Sequence, residues 1–361
     1  MAEGEIPPDH GPWLEVDLGA LVRNARDYGR RVGVPLLPMV KANGYGLGAV
    51  AVARALEPLG PWGFGVASLA EARELRSAGI ERPIVVFLPF VASAAEGYRS
   101  AGARPAIGGV ADLEQWLAGG GGPFHLSLDT GMGRGGIPWH DGSQLRAIAG
   151  RLDRGGYEGA FTHFHSADAD AAATGVQWHR FEEALAALGP TRPPIIHAAN
   201  SAAAQWGGRY AGTVARPGIF LYGGRAGALT PEPVARFDAM VHAVGPIREG
   251  DTVSYGATFR APERGDLVTL GAGYADGVRR SLGNGGLIAF GDRLVPIAGR
   301  VTMDMTMAVV PHGAVRVGDR GTFFGGPLEL DAQAERAGTI SYELLTAVGP
   351  RVARRYHGGR P

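Results

Sequence analysis

The 361-residue sequence contains no cysteine and only one lysine. The absence of cysteine excludes disulfide bonds, thiolate-ligated metal sites and a cysteine nucleophile. The formal net charge is zero, so the chain lacks the broad basic surface with which many proteins bind nucleic acids or anionic membranes. No apolar run approaches the ~20 residues that cross a bilayer, and the N-terminus has no signal-peptide pattern. We therefore expect a cytoplasmic protein without nucleic-acid or membrane partners.

The single lysine, Lys41, stands in the stretch "VKANGYGLG" of a chain that has 35 basic residues. Lysine and arginine are interchangeable on many surfaces, but only the lysine amine forms a Schiff base with an aldehyde. An apolar segment precedes Lys41 and a glycine-rich turn follows it. Partial burial at such a place lowers the pKa of a lysine and supplies a neutral nucleophile. We expect Lys41 to be a reactive residue, although a solvated lysine at a strand end is the simpler alternative.

The first two thirds of the chain alternate apolar and helical segments, a pattern typical of a parallel (β/α)₈ barrel. A doubly wound open sheet is the alternative, but the first turn carries no G-x-G-x-x-G motif. The eight predicted strands are residues 35–40, 63–68, 84–89, 103–108, 124–129, 158–164, 194–199 and 214–222.

The pattern changes near Pro231 and Pro233, which predict a linker. Short strand-like segments with close turn signals follow, and a short helical segment comes last, so we expect a mainly β domain. The predicted domains are a barrel over residues 14–230 and a β domain over residues 231–361, with residues 1–13 available to pair with the second domain.

Polar or glycine-rich groups follow several predicted strands, where parallel barrels carry their reactive groups. Backbone N–H groups at Gly218 and Ile219, with the Ser201 hydroxyl, have the chemistry that binds a phosphate monoester. A Schiff-base lysine and a phosphate site in one barrel together favour pyridoxal phosphate as the cofactor.

The stretch "HFHSADAD" also allows a metal site, because His163 and His165 share one face of a strand. Such a site needs further ligands from other strand ends, and His197 is the only clear candidate. We therefore favour a role for His163 beside the cofactor, with a packing role as the second possibility and no metal.

Nine motifs occur in order and together resemble the bacterial alanine racemases, which are pyridoxal phosphate enzymes of fold type III. The resemblance runs from Trp13 to Tyr356, and its most specific parts are the lysine motif, "VSYGATF" and "GRVTMDM". It implies a homodimer that shares its active sites and interconverts L- and D-alanine by a two-base mechanism. It also implies a role in supplying D-alanine for peptidoglycan, a component of the cell wall.

The resemblance assigns a role to each matching position. Lys41 and Tyr255 match the two catalytic bases, with Tyr255 reaching the site from the partner subunit, and Lys41 also matches the Schiff-base lysine. The other matches to cofactor-binding positions are Tyr45, His163, Ser201, Arg216, Gly218, Ile219 and Tyr342. The matches to substrate-binding positions are Arg134, Met303 and Asp304, together with Tyr255. Tyr274 and Arg300 match the access channel.

One position departs from the family pattern. Many members have a lysine, often carbamylated, two residues before Asp-Thr-Gly, and here that position is Ser127. Arg134 must therefore be held by another acceptor, which is a bound chloride, a carboxylate or backbone oxygens. The alternatives left open are a racemase with a broader amino-acid range, such as serine, and a fold type III decarboxylase, a class that usually uses a cysteine opposite its lysine. A non-catalytic cofactor carrier and a metal-dependent barrel hydrolase are more distant alternatives.

Overall fold

The computed structural model describes residues 11–190 and 192–359. Residues 1–10 of the segment 1–13, which is predicted to pair with the second domain, and residues 360–361 at the end of that domain therefore lie outside the described residues. No helix within the described ranges has both the length and the apolar character needed to cross a bilayer.

Strands and helices alternate through the first part of the chain, and strands dominate the second. The strands are β1 (Trp13–Asp17), β2 (Phe64–Val66), β3 (Ile84–Pro89), β4 (Ala103–Ile107), β5 (Phe124–Asp129), β6 (Ile137–Pro138), β7 (Tyr157–Phe161), β8 (Ile195–His197), β9 (Ala235–Ile247), β10 (Thr252–Val253), β11 (Phe259–Arg260), β12 (Gly265–Leu270), β13 (Leu287–Phe290), β14 (Arg293–Pro296), β15 (Thr306–Val310), β16 (Arg320–Phe324) and β17 (Ala353–His357). The helices are α1 (Leu18–Val32), α2 (Lys41–Tyr45), α3 (Ala49–Leu56), α4 (Leu69–Ser77), α5 (Ala95–Ser100), α6 (Val110–Ala118), α7 (Gly142–Ala149), α8 (Ala171–Ala187), α9 (Leu330–Arg336) and α10 (Ser341–Thr346).

Six strands form a parallel sheet in the order β2-β3-β4-β5-β7-β8, and two further segments close it into a barrel. Residues 35–40 lie between the sheet edge at β2 and residues 214–217. The N–H of Val40 donates to the Gly65 carbonyl at 2.8 Å, and that of Leu37 donates to the Ala215 carbonyl at 2.8 Å. The prediction of an eight-stranded barrel is confirmed, and the open doubly wound sheet is wrong.

The first and eighth barrel segments pair through isolated bridges rather than long ladders. Pro35, Pro38 and Pro217 interrupt them, because proline has no N–H to donate to a neighbouring strand. The predicted eighth strand over residues 214–222 is also too long. Its second half, Ile219–Tyr222, is a 3₁₀ helix that begins after Gly218.

The second unit is built on a mixed sheet in the order β14-β13-β16-β9-β1-β17, with β12 paired to β9 and β15 paired to β12. β1 pairs antiparallel with β9 and parallel with β17. Residues 14–17, predicted as part of the barrel, therefore lie in this sheet. Asp17 then ends β1 and caps α1, because its side chain accepts the Ala20 N–H at 2.9 Å.

The segment "DTVSYGATF", which resembles a strand in sequence, forms two short strands instead. β10 and β11 flank a 3₁₀ turn at Tyr255–Ala257. Ser254 and Ala257 have positive φ angles of 66° and 48°, which interrupts the extended backbone and turns Tyr255 outward, where its side chain is 72% exposed.

Candidate active site

Lys41 follows the first barrel segment and opens a left-handed turn, α2. Ala42, Asn43 and Tyr45 have φ angles of 52°, 53° and 54°, and Gly44 between them has 61°. Left-handed backbone costs a residue with a side chain about 1–2 kcal/mol. Such strain persists only where surrounding contacts fix it, and it is common at functional sites.

Glu71 is the main anchor of this turn. One carboxylate oxygen accepts the Ala42 N–H at 2.7 Å. The other accepts the N–H groups of Ala67 and Ser68 at 2.7 and 3.1 Å, which completes a capping box at the start of α4. Glu71 therefore ties the strained turn beside Lys41 to a stable helix start.

The C-terminal segment holds the other end of the same turn. Arg354 donates to the Gly46 carbonyl at 3.0 and 3.1 Å and also to the Gly349 and Val352 carbonyls. The Tyr356 hydroxyl donates to the Leu47 carbonyl at 2.9 Å. The position of Lys41 thus depends on residues more than 300 positions away in the chain.

Replacing Glu71 with alanine is expected to lower the free energy of unfolding by about 2–4 kcal/mol. Three backbone N–H groups lose a charged acceptor, and the strained turn loses its anchor. Urea unfolding followed by circular dichroism measures the effect. Glu74→Ala, on the exposed side of the same helix, is the matched control and should change stability by less than about 0.5 kcal/mol. Equal values for the two variants would show that Glu71 has no anchoring role.

The Lys41 amine is partly buried and faces two arginines. Burial lowers the pKa of Lys41, the positive charges of Arg134 and Arg216 lower it further, and Glu71 acts in the opposite direction. The chemistry that the sequence assigns to this residue requires such an environment, because only the neutral amine is a nucleophile.

A cavity of about 230 Å³ brings most of the predicted cofactor residues together. The predicted residues that line it are Lys41, Tyr45, Arg134, His163, Ser201, Arg216, Gly218 and Tyr342. They come from five different barrel strand ends and from α10. The cavity lies at the C-terminal end of the barrel strands, where such barrels carry their active sites.

One wall of the cavity carries hydroxyl and backbone N–H groups. The Ser201 hydroxyl accepts the Gly218 N–H at 2.7 Å and the Phe220 N–H at 3.3 Å. Gly218 has no side chain here because a Cβ would collide with the Tyr45 hydroxyl. Tyr45 stacks on Tyr222 with ring centroids 4.3 Å apart. This wall holds small polar donors in a fixed arrangement.

Arg216 forms the floor of the cavity and is fully buried among aromatic rings. Its guanidinium lies 5.5 Å from the ring centroids of both Phe87 and Phe161. It donates to the Thr162 carbonyl at 2.7 Å and to the Nδ1 atom of His197 at 2.8 Å. Burial lowers the pKa of Arg216 to about 9, so the group remains cationic at neutral pH.

His163 lies beside Arg216, with its Nδ1 atom 3.4 Å from the guanidinium. Burial lowers the pKa of His163 to about 3, and the neighbouring charges of Arg216, Arg134 and Lys41 act in the same direction. The imidazole is therefore neutral at physiological pH. The described residues hold no group of three or more histidine or acidic side chains placed to bind a metal ion.

Arg134 and Ser127 line a second cavity of about 370 Å³ that adjoins Lys41. Arg134 is exposed, and within the described residues its guanidinium forms no hydrogen bond, so neither a carboxylate nor a backbone oxygen of this part of the chain is the expected acceptor. Gly136 packs against Ser127, where an added Cβ would lie 2.8 Å from the serine hydroxyl oxygen. Ser127 therefore has Gly136 tightly packed on one side, and it also lines the cavity that adjoins Lys41.

Three predicted residues lie away from the Lys41 cavity, on the surface of the second unit. Tyr255 is 72% exposed and Met303 is 54% exposed, while Asp304 pairs with Arg351 at 2.6 Å. The exposed patch also includes Tyr274, whose N–H donates to the Thr302 carbonyl at 3.0 Å. Arg300, which matches the access channel like Tyr274, is also exposed, and Ile219 is fully buried at the start of the 3₁₀ helix that adjoins Gly218.

Sequence reasoning missed several residues that shape the site. Glu71 had a visible signal, the Ser-x-x-Glu spacing of a capping box after the second barrel strand. Phe87 and Phe161 are strand residues and give no signal of their own. Arg354 and Tyr356 act across more than 300 residues of sequence, and no local pattern reveals such contacts.

Comparisons with known proteins agree over nearly the whole chain. The family profile described as "Alanine racemase, N-terminal domain" matches residues 16–226, and the profile described as "Alanine racemase, C-terminal domain" matches residues 234–356. The curated alanine racemase of Symbiobacterium thermophilum is 38% identical, over 96% of this chain and 97% of that protein. That of Acidiphilium cryptum is 35% identical, over 95% and 98%.

Solved structures give the same result for the fold. The crystal structure of alanine racemase from E. faecalis has a TM-score of 0.90 at 30% identity and covers 98% of this chain and 100% of that one. The alanine racemase of Bartonella henselae, solved with covalently bound pyridoxal phosphate, has a TM-score of 0.88 at 28% identity, over 96% and 99%. The resemblance seen in the motifs is thus confirmed, and the chain belongs to the alanine racemase family.

Proposed function

We propose that this protein is a pyridoxal phosphate-dependent racemase that interconverts L- and D-alanine. The observation that carries the proposal is the Lys41 amine, partly buried in one cavity with Arg216 and with the polar wall at Ser201 and Gly218. The related enzyme from Bartonella henselae holds the same cofactor covalently.

The residues of the cavity fit this cofactor at each of its functional groups. The amine of Lys41 suits the aldehyde, and the hydroxyls of Tyr45, Ser201 and Tyr342 with the N–H group of Ile219 suit the phosphate. The Gly218 N–H, which donates to the Ser201 hydroxyl here, would join them when the phosphate replaces that acceptor. Arg216 supplies a hydrogen-bond donor for the pyridine nitrogen. The neutral ring of His163 offers a flat surface beside the pyridine.

The cofactor, when bound, supplies a conjugated ring that makes the Cα–H of an attached amino acid acidic. Racemisation then requires proton removal on one face of Cα and proton return on the other. The Lys41 amine serves one face, and its lowered pKa favours the neutral base. The Tyr255 phenol serves the opposite face. Arg134 faces the substrate carboxylate, and Met303 and Asp304 border the substrate.

Tyr255 reaches the reaction centre from a second copy of the chain. Within one chain it lies on the exposed patch and not in the Lys41 cavity. An exposed phenol among the exposed side chains of Tyr274, Met303 and Met305 is typical of a surface that a partner covers. We therefore propose a homodimer in which each cavity is completed by the partner's β domain.

Mixing two inactive variants tests this shared site. Lys41→Ala and Tyr255→Phe homodimers are each expected to be inactive, but subunit exchange places an intact lysine and an intact tyrosine in one site of each heterodimer. Random reassociation should restore about a quarter of wild-type activity. The matched control mixes Lys41→Ala with Lys41→Arg, which creates no intact site. Absence of recovery after verified exchange would contradict a site built from two chains.

Racemase activity should not depend on bicarbonate. Ser127 has no amine to carbamylate, so dissolved CO₂ cannot add a negative charge beside Arg134. Initial rates in degassed buffer and with added bicarbonate at constant ionic strength measure this, and they should agree within about 1.5-fold, less than 0.3 kcal/mol. A Ser127→Lys variant is the control, because it restores the amine. A clear rise of the wild-type rate with bicarbonate would oppose this assignment.

The second candidate function is a racemase with a broader amino-acid range that includes serine. The cavity that Ser127 and Arg134 line also adjoins Lys41, so larger side chains are included in the test. Chiral analysis of products from a panel of L-amino acids, including serine, ranks the substrates by kcat/KM. Decarboxylation would appear in the same assay as CO₂ and an amine, with no D-enantiomer.

Three further assignments concern the location of the enzyme, its product and its domain boundary. We propose that the enzyme acts in the cytoplasm and supplies D-alanine for peptidoglycan in the cell wall. We place the boundary between the two domains at residues 230 and 231, with β1 contributed to the second domain by pairing with β9.

A further inference from the structure

A series of hydrogen-bonded side chains, Arg216, His197, His125 and Glu158, runs through the barrel interior to the opposite end of the strands. We call this series the relay. His197 lies between Arg216 and His125, with its Nε2 atom 2.7 Å from the Nδ1 atom of His125. The Nε2 atom of His125 lies 3.2 Å from a carboxylate oxygen of Glu158. Arg104 donates to both oxygens of Glu158 at 2.9 and 3.3 Å.

The proton positions in the relay follow from the Arg216 guanidinium, which is the donor at its first end. A guanidinium only donates, so Nδ1 of His197 must accept and its Nε2 must carry a proton. That proton is donated to Nδ1 of His125, whose own Nε2 proton is then donated to Glu158. Both imidazoles are therefore neutral Nε2–H tautomers, and every hydrogen bond in the chain is directed toward the carboxylate.

The surroundings hold both rings in this neutral form. His125 and His197 are fully buried, and burial lowers the pKa of each. Phe161 stacks on the ring of His197 with centroids 5.1 Å apart. Gly159 leaves the space that the ring of His125 occupies, because a Cβ at this position would collide with Nδ1 of His125.

Glu158 remains an anion at the far end of the chain. Burial acts to raise the pKa of Glu158, but hydrogen bonds from His125 and Arg104 outweigh it and hold the pKa at about 2. Arg216, at the near end, is a buried cation whose hydrogen bonds within the described residues go to carbonyl oxygens and imidazole nitrogens, and to no carboxylate. A buried charge of this kind needs compensation.

We propose that Glu158 is the remote counter-ion of Arg216, and that His197 and His125 transmit its negative charge through two imidazoles of fixed tautomer. The carboxylate polarises each ring in turn, so that Nδ1 of His197 becomes a stronger acceptor for the guanidinium. Arg216 is thereby fixed as an oriented cation without a carboxylate near the cofactor. Glu158, His125 and His197 are positioning residues, and their effect on the cofactor rests on the proposed function.

The first test measures the rings in the apoenzyme labelled with ¹⁵N-histidine. His125 and His197 should remain neutral Nε2–H tautomers between pH 6 and 8, and their hydrogen-bonded ring protons should lie downfield of that of His163, the third neutral histidine beside Arg216. Glu158→Gln keeps an acceptor oxygen but removes the charge, so both ring protons should move upfield while the tautomers stay the same. Titration of either ring in this range, an Nδ1–H tautomer in the wild type, or unmoved protons in the variant would overturn the proposal.

The second test measures pyridoxal phosphate binding by titration of the apoenzyme. Glu158→Gln should raise the dissociation constant about tenfold, the size expected when a hydrogen bond loses a charged partner. Arg104→Met, which keeps the Glu158 anion, should change the dissociation constant less than about threefold. Glu114→Gln breaks an exposed pair with Arg151 and should leave the dissociation constant unchanged. An Arg104 variant as impaired as the Glu158 variant would show that the carboxylate only pairs with Arg104.

The two tests separate this proposal from the proposed function. Failure of the wild-type protein to bind pyridoxal phosphate would contradict the function, while the spectra of the apoenzyme would still report on the relay. If the wild-type protein binds the cofactor and Glu158→Gln has the wild-type dissociation constant and ring-proton shifts, the relay is contradicted and the proposed function is not. Thermal unfolding of each variant by circular dichroism shows whether it is folded. Should Glu158→Gln not fold, Gly159→Ala, which displaces the His125 ring without removing a charge, should show the same loss of cofactor affinity.

Discussion

Replacing Lys41 with alanine is expected to reduce racemisation of either alanine enantiomer by at least about 10³-fold. The substitution removes a proton acceptor, a loss that costs about 10²–10⁴-fold in general acid–base catalysis, and it also removes the amine that binds the cofactor covalently. Circular dichroism of the alanine pool, started from each pure enantiomer, measures both directions.

Lys41→Arg is the matched control for charge. Arginine keeps a cation beside Arg134 and Arg216 but offers no nucleophilic amine, so this variant should be as inactive as the alanine variant. The purified wild type should show the violet absorbance band of a Schiff base, and borohydride should remove this band. Both Lys41 variants should lack it. Retention of more than a tenth of the wild-type rate by Lys41→Ala would contradict the central assignment.

Replacing Tyr255 with phenylalanine is expected to lower racemisation by about 10²–10⁴-fold in both directions, because a proton can no longer be exchanged on one face of Cα. Hydrogen exchange separates the two bases. In D₂O, the variant should incorporate deuterium into one antipode through Lys41 and into the other at a strongly reduced rate. Mass spectrometry of each recovered enantiomer measures this asymmetry.

Tyr98→Phe is the control for loss of a phenol, since Tyr98, on α5, is buried against Phe90 and Trp116. Its activity should remain at the wild-type level. Equal loss of deuterium incorporation into both antipodes of Tyr255→Phe would show that the phenol positions the substrate rather than acting as one of two bases. Undiminished racemisation by this variant would exclude Tyr255 from the reaction.

The barrel could be predicted from sequence because its pattern is local. Apolar segments of five or six residues alternate with helical ones, and each needs only its own neighbours to be recognised. The segments where prediction was less accurate are those where tertiary contacts decide the backbone. Ile219–Tyr222 is apolar enough for a strand but forms a 3₁₀ helix, because the N–H groups of Gly218 and Phe220 bond to the Ser201 hydroxyl.

The second unit shows the same limit more strongly. Its short strands were recognisable, but the pairing of β1 with β9 and β17 joins residues 13–17 to positions more than 200 residues later. No pattern in "WLEVD" distinguishes a strand that starts a barrel from one that completes a distant sheet. None of the strands predicted from the sequence includes this segment, and only the folded chain shows that it is a strand and which strands it pairs with.

The sequence by itself determined the chemistry of this protein: one lysine at a strand end, no cysteine, and a set of motifs that resembles a single family. These are properties of residue type and spacing, which a linear chain carries in full. The tertiary structure alone decided how that lysine is held and charged. The left-handed turn clamped by Glu71, the aromatic faces around Arg216 and the relay from Arg216 to Glu158 join residues far apart in sequence, and such contacts exist only after the barrel closes.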